Sequence, residues 1–215
     1  MAPLNVNPNT NVAGNTCRRN DTHGIAVQNG GGAIITGNTC MHNAGAGIAV
    51  LDRGTSPTLR SNTCSHNRMH GIQFAEGAGG LAEENTCSNN GEAGVAVFDQ
   101  FTAPSLLRNM CTDNALNGMI FQQGAGGTAE ANTCVANGES GIAVFDLGSA
   151  PLLVGNTCRQ NGRHGIGFEA QAGGIARRNT LISNAHYAIF ISRGATPTLE
   201  ANTLEGHYVY RSARE

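Results

Sequence analysis

The stretch that decides the fold runs Asn62-Thr63-Cys64-Ser65-His66-Asn67-Arg68-Met69-His70-Gly71-Ile72-Gln73-Phe74. It returns 23 residues on as Asn85-Thr86-Cys87-Ser88-Asn89-Asn90-Gly91-Glu92-Ala93-Gly94-Val95-Ala96-Val97. Working outward, the same unit opens at Asn15, Asn38, Asn62, Asn85, Asn109, Asn132, Asn156, Asn179 and Asn202, at intervals of 23 or 24 residues that alternate along most of the chain. A fixed period of this length is the mark of a stacked-repeat architecture, in which no unit buries its apolar face alone. A second asparagine stands five residues after each of the first eight, and glycine stands nine residues after the first seven, with Ala188 as the departure in the eighth. Two apolar positions follow with one residue between them, as in Ile72 and Phe74 or Val95 and Val97. Alternation with a period of two, punctuated by glycine and asparagine, reads as short strands and tight turns.

Three such strands closing a coil of this length give a single-stranded right-handed parallel β-helix of about eight to nine coils, stacked ~4.8 Å apart. A leucine-rich repeat shares the period but needs a Leu-x-x-Leu-x-Leu signature and a helical return, and neither is present. Two coil types alternate. One carries Phe74, Phe121 or Phe168 with Ala82, Ala129 or Ala176 and a Gly-Gly turn; the other carries Val50, Val97 or Val144 with Leu59, Leu106 or Leu153 and a proline turn. Phe plus Ala fills about the cross-section of Val plus Leu, so packing explains the alternation.

Composition narrows the partners. Glycine is 30 of 215 residues and only 13% are charged, against a usual ~25%; there is no lysine and the net charge is −2. That balance excludes the clustered basic face a nucleic acid requires. No apolar run spans a bilayer and the first residues do not form a leader, so no membrane partner is expected. The unit covers about residues 8–204 of a single 1–215 domain, with a 205–215 tail. Its ends carry no capping segment, which implies neighbouring domains in a longer chain or end-to-end association of copies.

In-register stacking turns each repeat position into a column. Seven cysteines (Cys17, Cys40, Cys64, Cys87, Cys111, Cys134, Cys158) share one column that Leu181 and Leu204 continue, so the thiols are expected inside, unpaired, as small hydrophobes. Free thiols and the missing leader favour a reducing cytoplasm. His23, His70 and His164 lie two coils apart, too far to share a metal, and are expected as exposed turn residues; Asn117 interrupts them. His42 and His66 fall in adjacent coils and can approach each other. Fourteen residues after the asparagine the column reads Asn29, Asp52, Glu76, Asp99, Gln123, Asp146. Asp52, Glu76 and Asp99 would stand ~5 Å apart, raising one another's pKa unless a cation or ligand relieves them. Solvated turn groups, a binding edge with Ca²⁺ as an oxygen-ligated ion, and an acid–base pair for glycan cleavage all fit. Outward strand positions between the two edges are small (Ala26, Ala49, Ala96, Ala143, Gly167), with Gln73 and Ile120 larger. A separation of six positions puts the His and acid edges too far apart for a dyad.

With Gly-Ile-Ala-Val, turn, Pro-x-Leu-x-x-Asn-Thr-Cys-x-x-Asn as its unit, the sequence resembles the right-handed β-helix repeat family. That family is related to pectate lyases and to the carbohydrate-binding and sugar-hydrolase group. Its alternating coils (Gly71-Ile72-Gln73-Phe74 to Gly79-Gly80, then Gly94-Val95-Ala96-Val97 to Pro104) look most like F-box receptor β-helices and uncharacterised bacterial repeat proteins. The resemblance implies the scaffold and departs from each family chemistry. A lysine base, the Tyr-Gly-x-Asp-Pro-His motif of alginate-type enzymes and the paired aspartates of polygalacturonases are all absent. The leading expectation is therefore a non-catalytic binding or scaffold module. It would take a protein or polysaccharide along the face formed by His70, Gln73, Phe98, Phe145, Asp52, Glu76, Asp99 and Asp146. The alternative is a polysaccharide hydrolase or lyase using Asp52, Glu76 and Asp99 as catalytic or Ca²⁺-binding groups; no other cofactor is expected.

Overall fold

A computed structural model of the chain describes residues 4–6, 10–206 and 209–211; for 4–6 and 209–211 only the backbone is described. Every regular element in the described residues is a strand, and no helix there could cross a membrane. Three parallel sheets form the sides of a solenoid. Sheet A has ten strands, from Leu4–Val6 through Ile25–Val27, Ile72–Phe74, Val95–Phe98 and Ile166–Phe168 to Val209–Arg211. Sheet B has nine, from Asn11–Ala13 to Thr198–Glu200, and sheet C nine, from Thr16–Arg18 to Thr203–Leu204. Register follows the repeat: Ile48 pairs with Ile72 and Ile72 with Val95, while Cys64, Cys87 and Cys111 stand in line. The ladder reaches past the repeat at both ends, since Leu4–Val6 and Val209–Arg211 pair onto sheet A. The rest of the 205–215 tail, apart from Glu205 and Gly206, lies outside the described residues.

The core is the axis of the solenoid. Phe74, Phe121 and Phe168 are wholly buried, as are Ala82, Leu59, Leu106 and Leu153, so the volume exchange between coil types sits inside one continuous cluster. Cys40 through Cys158 are buried and free, with Cys17 half-buried at the open end. The glycine column follows from the close stacking of coils: a Cβ on Gly71 would lie 2.6 Å from the carbonyl oxygen of Gly94 and 2.7 Å from Cys87 Cβ. The Gly-Gly turn has a similar origin. Gly80 has φ +113, and a Cβ there would meet the Pro57 carbonyl at 2.4 Å.

Both asparagine ladders close in the way their turns demand. Asn109 donates its backbone N–H to Asn132 Oδ1 (2.8 Å) and its amide to the same oxygen (3.0 Å) and to the Ala82 carbonyl (2.8 Å). Its own Oδ1 accepts both N–H donors of Asn85. Buried amides are thereby satisfied coil after coil, which in-register stacking makes available to asparagine and to few other side chains.

Candidate functional site

The acidic column forms where expected, and its aspartates have work in the turns. Asp52, Asp99 and Asp146 each adopt φ 74, and each accepts the backbone N–H of the residue one coil earlier: Asn29 (2.9 Å), Glu76 (3.0 Å) and Gln123 (3.2 Å). Three residues on, Thr55, Thr102 and Ser149 accept the N–H of Gly30, Gly77 and Gly124. Asp-x-x-Thr/Ser in the Pro57, Pro104 and Pro151 coils thus staples the turn of the coil before it, and Ser192 accepts the Ala170 N–H in the Pro197 coil. Glu76 carries no staple. Its carboxyl is pushed up by a hydrogen bond with Asp52, with burial and the charges of Asp52 and Asp99 adding to the shift. Among the described residues no three His, Cys, Asp or Glu side chains gather as a metal cluster.

The histidine column differs from the exposed turn residues expected of it. His70 and His164 are buried, at 4% and 2% exposure, and His23 is half-buried. For two of them the cause is a third ladder, in which His23 Nδ1 accepts the Ala46 N–H (3.0 Å) and His70 Nδ1 that of Ala93 (3.3 Å); His164 makes no such bond. Asn117 does not interrupt this series, because its Oδ1 accepts the Ser140 N–H at 3.1 Å and so replaces imidazole. Burial pushes His70 down to about 4, with the charge of His23 adding to it.

Other side chains flanking sheet A reach one another. His70 meets Phe98 edge-on at 5.3 Å between centroids, and Arg163 Nη1 reaches Glu169 Oε1 at 3.2 Å across Gly167. His70 pairs with a carboxylate of a different column, Glu92, at 3.1 Å. Gln73 lies on this face with a buried Oε1 that has no hydrogen-bond partner in the chain; Phe98 and Phe145 are half-buried along its edge.

The densest chemistry surrounds Gly167. A Cβ placed there would lie 3.6 Å from Glu169 Oε1, 3.7 Å from His164 Cδ2 and 3.8 Å from Ser140 Oγ. The missing side chain thus leaves a buried, methyl-sized hollow in contact distance of a carboxyl oxygen, an imidazole carbon and a hydroxyl. His164 stacks on Phe190 (4.6 Å, 5°) and on Tyr187 (5.6 Å), and its buried Nδ1 has no hydrogen-bond partner. Burial pushes His164 down to about 4, with the charges of Arg163 and His186 adding to it, so the ring is neutral at pH 7. Burial pushes the Glu169 carboxyl up; Arg163 opposes the shift and Glu139 adds to it. Arg163 lies between the two carboxylates, 3.8 Å from Glu139 and 3.2 Å from Glu169.

Of these groups, Ser140, Tyr187 and Phe190 stand outside the residues singled out from sequence, as do Glu92, Glu139, Arg163 and Glu169. The columns of the last four mix residue types: Met69, Glu92, Leu116, Glu139, Arg163 in one and Phe98, Gln122, Phe145, Glu169 in the other. The readable signal was Glu139 followed by Arg163 at the same turn position of the next coil, a pair of opposite charge.

The small outward positions of sheet A are covered by neighbouring side chains, with Ala49 and Ala96 wholly buried, and the three-sheet parallel solenoid defines the class of parallel β-helix proteins. The chain belongs to the right-handed β-helix family, whose profile, described as "Right handed beta helix region", matches residues 4–145 and again 105–211. A search of curated proteins finds no match. Among solved structures, the periplasmic alginate epimerase AlgG is similar at 22% identity and TM-score 0.72, over 89% of this chain and 47% of that one. The catalytic unit of the GH87 α-1,3-glucanase of Streptomyces thermodiastaticus is similar at 14% identity and TM-score 0.73, over 95% and 50%. Pectate lyase Pel9A is similar at 13% identity and TM-score 0.58, over 99% and 68%. The chain spans about half the length of the first two. At these identities the likeness is one of fold.

Proposed function

We propose that the chain is a polysaccharide-active β-helix domain that lays a glycan on the outer face of sheet A and cleaves it at the Gly167 hollow. The observation that carries this reading is the convergence of Glu169, His164 and Ser140 on the space left by one absent side chain. Glycan cleavage needs an acid still protonated near neutral pH and a base still unprotonated there. Burial pushes the Glu169 carboxyl toward the acid role, and His164, neutral above about pH 4, is assigned the base role. Arg163 supplies fixed positive charge beside developing negative charge, and Phe190 holds the His164 ring. The polysaccharide-acting proteins that share the fold support the substrate class. The reaction is placed here and not at Asp52, Glu76 and Asp99 because aspartate oxygens in that row already accept backbone N–H groups.

The test is release of reducing ends or unsaturated products from a panel of uronate-containing and neutral glycans. Glu169→Gln and His164→Ala are expected to lower turnover at least a hundredfold with the far-UV spectrum unchanged. Turnover that survives both, or that is lost instead in Asp99→Ala, would place the chemistry elsewhere. Binding without turnover across the panel would make the domain a glycan-binding module.

A further inference from the structure

A second site lies away from sheet A, at the turn that follows sheet C. His42 and His66 occupy the same position in adjacent coils, each immediately before a ladder asparagine, Asn43 or Asn67. Both adopt the left-handed conformation, with φ 55 and 54. Each backbone N–H is held by the next coil, His42 to the Ser65 carbonyl and His66 to that of Ser88. The two side chains therefore leave a fixed frame from equivalent points and in the same direction. Both are exposed, and the rings stand 5.2 Å apart at 37°.

The turn does not call for imidazole. Ala136 fills the same position with φ 53, and Arg19, Asn89 and Gln160 fill it elsewhere. A histidine pair is thus placed where alanine suffices, at a spacing with chemical meaning. A metal–nitrogen bond of about 2.0–2.1 Å puts the metal about 3.2 Å from each ring centroid, and a tetrahedral angle between two such rings separates their centroids by about 5.2 Å. The observed separation is 5.2 Å. Both rings are exposed, so their side-chain torsions are free to turn a nitrogen of each toward one ion at about this separation.

We propose that His42 and His66 form a two-imidazole clamp for a borderline divalent transition-metal ion, Zn²⁺, Ni²⁺ or Cu²⁺, with water in the remaining positions. Imidazole selects these ions over Ca²⁺ and Mg²⁺, which take oxygen ligands. The ion ties two coils together and is held only while they are stacked, so it favours the folded chain. Asn89 continues the column on one side; the Arg19 guanidinium on the other opposes a dication and keeps the affinity moderate. The inference is independent of the chemistry placed on sheet A.

The full chain without an affinity tag is titrated with NiCl₂ or ZnCl₂ alone by calorimetry, and the imidazole signals are followed by NMR. One equivalent is expected to bind, broadening (Ni²⁺) or shifting (Zn²⁺) His42 and His66 first and raising the melting temperature. His42→Ala and His66→Ala are each expected to weaken binding at least tenfold, and the double variant to abolish it and the thermal shift. Ala136 shows that alanine is accommodated at this turn, so the variants retain the fold. Binding of undiminished strength in the double variant, first perturbation of other histidines, or no binding at millimolar metal would each overturn the proposal.

Discussion

Replacing His70 by asparagine isolates what the histidine ladder does, because Asn117 already fills that position in another coil. In the folded chain His70 Nδ1 accepts the Ala93 N–H while its Nε2 lies 3.1 Å from Glu92, which fixes the neutral tautomer. Protonation at Nδ1 would remove that acceptor from a ring that is 4% exposed. An unfolded imidazole titrates near 6.5, and the folded one has been pushed down to about 4. Between those values the unfolded chain binds more protons, so stability is complete above about pH 6.5 and falls as pH drops toward 4. Integrating between pH 7 and pH 5 gives a loss of about 2 kcal/mol from this one group, an upper bound because protonated His70 gains attraction to Glu92. Asparagine retains an acceptor and does not titrate. His70→Asn should therefore cost about 1 kcal/mol at pH 7, for the lost ring contact with Phe98, and cost nothing or stabilise at pH 5. Urea unfolding followed by circular dichroism at both pH values measures the two differences. Identical pH dependence in the wild type and the variant would refute the reasoning.

Three further outcomes follow from the ladders and turns. Asn109→Ala removes four side-chain hydrogen bonds inside the stack and should cost about 2–5 kcal/mol, whereas Asn15→Ala at the first coil should cost under about 1; equal costs in urea would contradict the ladder account. Gly71→Ala drives a Cβ against the Gly94 carbonyl and Cys87 and should lower stability by about 2–3 kcal/mol, read as a fall in melting temperature. Asp52→Asn should bring the Glu76 carboxyl back down toward the ordinary glutamate range, since its neighbour's carboxylate is the main cause of the shift; an unmoved carbon-13 NMR titration would show another origin.

How much of this was legible beforehand depends on how each feature is encoded. Features repeated in every coil could be read directly. The asparagine, glycine and cysteine columns and the exchange of Phe74 with Val97 recur at a fixed period, and each recurrence states the same packing requirement. The acidic column was visible too, but its purpose was not. Spacing places Asp99 next to Glu76, while only the turn geometry turns the Asp99 oxygen onto the Glu76 N–H. The expectation that the histidines are exposed fails because a ring can turn to accept a neighbouring backbone N–H or to stack on another ring, and periodicity carries no information about side-chain direction.

The sequence by itself determined the period, the three strands per coil, the register and the core, because each of these is a nearest-neighbour property that repetition makes explicit. Only the tertiary structure decided that Ser140, Arg163, His164 and Glu169, drawn from three columns and two coils, face one hollow at Gly167. That arrangement depends on how far unlike side chains reach across a strand, a distance fixed by the twist and closure of the solenoid and written at no single repeat position.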